Sequence, residues 1–83
     1  MEIPDYATTH MPPSPPSAIL VQFGKAVRQQ REKLKMSQQT AAESAGLSIT
    51  YFGKVERAQV NVSLANVDKI CRALKCRPVD LLR

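Results

Sequence analysis

Apolar positions recur at helical spacing along residues 18–83, and the polar stretches between them carry the marks of helix ends. From about Ala18 to Leu34 the inward stripe is Leu20, Phe23, Val27 and Leu34, with Ala26 beside it. Lys25, Arg28, Lys33 and Lys35 take more exposed positions, whereas Arg31 falls on the stripe. A basic side chain on an inward face needs a partner, and Glu56 is the candidate. Ser37 is placed to cap a second helix by accepting a backbone N–H bond. Gln38 to Ala45 then run without Pro or Gly, and Ala41, Ala42 and Ala45 are small enough for a close crossing. Gly46 tolerates the left-handed backbone that ends a helix. Leu47 plugs the turn and Ser48 caps a third helix. There Phe52 and Val55 point inward, while Ile49, Thr50, Gly53 and Lys54 lie on the other side. After a loop from Ala58 to Val62, Ser63 caps a fourth helix with a continuous apolar face of Leu64, Val67, Ile70, Cys71 and Leu74. Pro78 opens a last short helix ending at Leu82. The pattern predicts an all-α chain of five helices, with no strand, repeat or glycine-rich phosphate loop.

Residues 1–17 break this pattern. They hold five of the six prolines and show no periodicity, so a flexible, extended arm is expected ahead of one folded domain over 18–83. Charge divides the same way. The arm carries only Glu2 and Asp5, which leaves all 12 basic side chains against 5 acidic ones in residues 18–83, a net of +7. A basic folded domain suggests a polyanionic partner, while an arm without Arg or Lys is poorly equipped for a minor groove. A domain this small buries only about 60% of its unfolded surface, which makes oligomerisation a reasonable expectation.

Cys71 and Cys76 read as reduced thiols, Cys71 as a small core residue, in a cytoplasmic protein. No signal-peptide segment or membrane-spanning apolar run occurs. His10, the only histidine, sits in the arm, and no CxxC spacing occurs, so neither metal nor cofactor is expected. Acidic residues are few and scattered and no nucleophile has a recognisable base, which argues against an enzyme.

The run Ser37–Arg57, SQQTAAESAGLSITYFGKVER, has the size and rhythm of a helix-turn-helix that reads DNA. Around it lie F-G-K-A-V-R-Q-Q-R at 23–31, M-S-Q-Q-T-A-A-E-S-A-G-L-S at 36–48, Y-F-G-K-V-E-R at 51–57 and N-V-S-L-A-N-V-D-K-I-C-R-A-L at 61–74. Together these make Gln22–Leu82 resemble the Cro-and-phage-repressor type of helix-turn-helix domain, the Xre family. Within it, V-E-R-A-Q-V-N-V-S-L looks most like the controller proteins of restriction–modification systems. The resemblance implies a compact five-helix, lambda-repressor-like domain that binds double-stranded DNA. It also implies roles for matched positions. Gln38 would bond a phosphate and buttress the recognition helix, and Ile49, Thr50 and Lys54 would face base edges. Ser48, Tyr51 and Arg57 would touch phosphates or cap, and Asn61 would lie near the DNA backbone. Arg31 and Glu56 match the family's buried ion pair.

The chain departs from the family at Ala58, where glycine is usual, so the exit from the recognition helix is either remodelled or strained. Val60 stands where a basic residue is common. Gly53, unfavourable inside a helix, is read as letting the helix sit deeper in the groove. So few base-reading side chains imply a dimer on a pseudo-palindrome, with Val79, Leu81 and Leu82 as its contact surface. The function expected is an autoregulatory, sequence-specific transcriptional regulator. The alternative is an antitoxin-type protein-interaction module with secondary DNA binding.

Overall fold

The computed structural model describes residues 17–83. Of the arm expected over 1–17, residues 1–16, His10 included, lie outside the described residues, and Ser17 belongs to the start of the first helix. Five helices follow one another: α1 (Ala18–Lys33), α2 (Gln38–Ala45), α3 (Ile49–Glu56), α4 (Leu64–Ala73) and α5 (Pro78–Leu82). Among the described residues there is no strand.

Serine starts the first four helices. The Oγ atoms of Ser17, Ser37, Ser48 and Ser63 accept from the amides of Leu20, Thr40, Tyr51 and Asn66 at 3.3, 3.0, 3.1 and 3.1 Å. Each bond satisfies one of the N–H groups a helix start leaves without a partner. α5 begins differently, with Asp80 Oδ2 accepting from the Arg77 amide at 2.9 Å.

The same four helices end alike. Lys35, Gly46, Ala58 and Lys75 take φ of 59°, 72°, 58° and 57°. In each turn the next amide reaches back across the helix end: Met36 to Arg31, Leu47 to Ala42, Gln59 to Lys54 and Cys76 to Cys71, at 3.0, 2.9, 2.8 and 3.0 Å. Such a turn suits glycine, yet only one of the four has it. At Ala58 the chain keeps the left-handed exit and accepts the strain.

Phe52, Ile70, Leu74, Val27 and Val55 are the largest fully buried side chains. α1 packs on α3 and α5, and α2 on α3 and α4. The α1–α3 crossing is made by Gly24, where a Cβ would come within 2.6 Å of the Val55 carbonyl oxygen and 2.7 Å of that of Glu56. Ala41, Ala42 and Ala45 are buried, as their size suggested. Val60, with Met36, Leu47 and Val62, packs around this core, so its apolar side chain has a structural use. Gln30 Nε2 donates to the Leu74 carbonyl at 3.0 Å, tying α1 to the end of α4.

Two expectations are corrected. Leu64 stays on the face of Val67 but is 85% exposed, because as the first helical residue it lies at the open rim of the groove that Val67, Phe23 and Leu82 line. Leu81 is 2% exposed and closes the core, so it does not present a surface to a partner; Val79 and Leu82 do, at 51% and 37%. Cys71 and Cys76 are free thiols, and burial pushes both upward, Cys71 to about 12, which keeps them protonated.

Candidate nucleic-acid interface

The polar face of α3 is held in place from behind. Arg31 on α1 grips Glu56 at the end of α3 with two bonds, Nε to Oε2 at 2.6 Å and Nη2 to Oε1 at 3.1 Å. Its Nη1 donates to the Met36 carbonyl at 3.0 Å, in the turn before α2. Gln38, first in α2, donates from Nε2 to Glu56 Oε1 at 2.9 Å. Three segments thus meet at one carboxylate. The Arg31 and Glu56 side chains are only 12% and 4% exposed, so the pair has little water around it. The hydrogen bond it donates to Glu56 raises the Arg31 guanidinium further above its already high ordinary value. The partner assigned to Arg31 from its place on the inward stripe is the one it has, and Gln38 is a buttress of the third helix.

With Phe52 and Val55 facing the core, α3 turns Ile49, Thr50 and Lys54 outward, all exposed. Thr50, Lys54 and Arg57 follow at steps of four and three, so they line one ridge of the helix surface. Tyr51 is half-buried, and its hydroxyl oxygen accepts from Asn66 Nδ2 on α4 at 3.0 Å. The tyrosine O–H remains able to donate. Ser48 Oγ is engaged as the cap of α3. Arg57 is exposed and its Nε donates to Gln59 Oε1 at 3.1 Å. Asn61 is exposed in the loop before α4.

Gly53 does not join this open face. It is buried, and Arg57 lies across it. The sequence reading also left out Asn66, which holds Tyr51, and Gln59, which holds Arg57. A polar residue three after a capping serine is the only mark Asn66 carries in the sequence, and nothing marks Gln59.

Glu56, the one acidic residue between Gly46 and Gly53's far turn at Gln59, is neutralised at the back, so the front of α3 is basic. Among the described residues no group of three or more His, Cys, Asp or Glu could hold a metal ion. No described helix is long and apolar enough to cross a membrane.

Residues 27–81 match the family described as helix-turn-helix. The chain is 48% identical over 61 residues to the control protein C.BamHI of Bacillus amyloliquefaciens, covering 72% of this chain and 75% of that protein. It is 37% identical over 57 residues to the control protein C.MunI of a Mycoplasma species, covering 68% and 77%. Among solved structures it is similar to the restriction-modification controller protein C.AhdI from Aeromonas hydrophila, with a TM-score of 0.76 and 45% identity over 78% of this chain and 98% of that one.

Proposed function

The chain belongs to the Xre-type helix-turn-helix family of DNA-binding regulators, and on that premise we propose that it binds a pseudo-palindromic operator as a homodimer and controls its own promoter. The observation that carries this reading is an eight-residue helix, α3, fixed from behind by the Arg31–Glu56–Gln38 lock and open in front at Thr50 and Lys54. A rigid element holds its side chains in register with base edges. Lys54 donates to guanine O6 and N7, and Thr50 bonds base edges or touches a thymine methyl with its own. Ile49 adds apolar contact. Ser48, Tyr51, Arg57 and Asn61 border this ridge and serve the phosphates, with the second N–H of Gln38 beside them.

So sparse a reader gains its specificity by pairing. Val79 and Leu82 on α5, with exposed Ile19 on α1 and Leu64 on α4, give an apolar surface away from the core, backed by buried Leu81. A two-fold dimer reading both half-sites of a pseudo-palindrome needs its α3 helices about 34 Å apart, one turn of DNA. A role at DNA sets the protein in the cytoplasm.

The test is fluorescence anisotropy with the DNA upstream of its own gene, across a salt series. Two protomers per full site are expected, and log K should fall linearly with log salt. Lys54→Ala should cost about 1–3 kcal/mol and relax preference at one base pair of each half-site. Unchanged affinity and preference in that variant would remove α3 as the reading helix.

A further inference from the structure

Gly53 is the one buried residue on the outer side of α3. Ile49, Thr50 and Lys54 around it are exposed. What covers it is the Arg57 guanidinium, one turn further on: a Cβ at residue 53 would lie 3.0 Å from Nη1, 3.6 Å from Nη2 and 3.7 Å from Cζ. The guanidinium is held at its other edge as well, its Nε–H donating to Gln59 Oε1 at 3.1 Å. The turn behind α3 brings Gln59 there, since Ala58 takes φ of 58° and the Gln59 amide reaches back to the Lys54 carbonyl at 2.8 Å. A helical glycine and a left-handed alanine are each locally unfavourable. Both serve a single arrangement of one arginine.

We infer that Gly53 is the seat and Gln59 the latch that fix the Arg57 guanidinium beside α3, so that its terminal N–H fork meets a DNA phosphate at the rim of the groove. The inference rests on α3 being the DNA-reading helix. Gln59 takes the Nε–H, which leaves the parallel N–H groups of Nη1 and Nη2 for two oxygens of one phosphate. Arg57 sits at the C-terminal end of α3, whereas helices of this kind present their N-terminal residues to the bases. That position suits the backbone rather than a base edge. Holding the side chain before DNA arrives removes the cost of ordering a long, flexible arginine on binding. Arg57 touches the DNA; Gly53 and Gln59 are positioning residues.

The test pairs thermal melts with anisotropy titrations on the upstream DNA at several salt concentrations. Gly53→Ala should melt higher than the parent, because alanine favours helix and only the tip of a flexible side chain must shift. It should nevertheless bind about fivefold more weakly, with a salt slope smaller by about 1 per half-site. Gln59→Ala should lose affinity in the same way without a matching loss of stability. In an Arg57→Ala background, neither change should weaken binding further. Gly53→Ala binding as tightly as the parent would overturn the inference, as would a loss that persists without Arg57. A loss confined to particular base pairs would overturn the assignment to phosphate. Failure of the parental protein to bind the DNA would instead overturn the reading of α3 itself, whatever the variants do.

Discussion

Two arginine–carboxylate clusters sit at different places in this small fold. Behind α3, Arg31 and Glu56 meet through two bonds at 2.6 and 3.1 Å, with side chains 12% and 4% exposed. At α5, Arg77 and Arg83 approach Asp80 Oδ1 at 3.7 and 3.5 Å, and both arginine side chains are more than 70% exposed. The residue types are the same and the consequences differ. The first cluster joins α1, the turn before α2, α2 itself and α3, and breaking it leaves a charge without water to receive it. The second is local to α5, where solvent screens each charge. The carboxylate behind α3 therefore ties three helices together, while the cluster at α5 stays within its own helix and that helix's ends.

The sharpest way to break this contrast is Glu56→Ala. Arg31 and the Gln38 amide would both lose their acceptor, and the expected cost is about 3–5 kcal/mol. Against a total stability of about 5–15 kcal/mol for a domain of this kind, much of the fold's margin would go. Urea unfolding followed by circular dichroism measures it. The counterpart, Arg77→Ala, should leave the unfolding midpoint close to the parent's. If the two variants shifted it equally, burial would not be what separates the clusters. Arg31 adds no pH dependence of its own near neutrality. Its guanidinium is raised by Glu56, so its contribution is fully present below its ordinary value and is lost only far into alkali.

A smaller change sharpens the picture beside Glu56. Ala58 carries the left-handed turn that ends α3, with φ of 58°. Ala58→Gly keeps that turn and relieves the clash of Cβ with the backbone, for a gain of about 1 kcal/mol. In a domain of this size that corresponds to a rise of about 4–8 °C in Tm. DNA affinity should not change, since Gln59 and Arg57 stay where they are. A fall in Tm would mean that the strain at residue 58 is not real.

Much of this was legible because it follows from local chemistry. Ser37, Ser48 and Ser63 announce helix starts, Gly46 announces a stop, and the stripe through Phe23 and Val27 carries Arg31 inward to a partner that must be acidic. What stayed hidden depends on how helices cross. Periodicity does not say which of the adjacent Leu81 and Leu82 reaches the core, and burial by α1 and α4 decides for Leu81. Leu64 fits the period of α4 but stands one turn beyond its cover. Gly24 was a readable anomaly, a glycine inside a helix, though its reason lies in carbonyls of α3 more than 30 positions along the chain. Within the site, Thr50 and Lys54 follow from the helical face. The pairings Asn66–Tyr51 and Gln59–Arg57 do not, because side-chain bonds between polar residues leave no trace in an apolar pattern.

The smallest expected effect lies at α5 and is a matter of pH. The Arg77 amide donates to Asp80, and together with the charges of Arg77 and Arg83 this holds the Asp80 carboxyl below its ordinary value. A carboxylate with a depressed value contributes stability that is present above its unfolded value of about 3.9. That contribution is lost as pH falls through the folded value. Protonation removes the charge that Arg77 and Arg83 face and weakens the acceptor at the start of α5, so as pH falls through the folded value, itself below the ordinary one, the methyl resonances of Val79 and Leu82 should shift. NMR titration of those methyls checks it, with Asp80→Asn as the comparison. The amide variant lacks that charge, so it should already show the shifted signals at neutral pH and change little on acidification. Identical titrations of variant and parent would mean that Asp80 does not hold this end of the molecule. The difference between the two arginine–carboxylate clusters would then be one of burial alone.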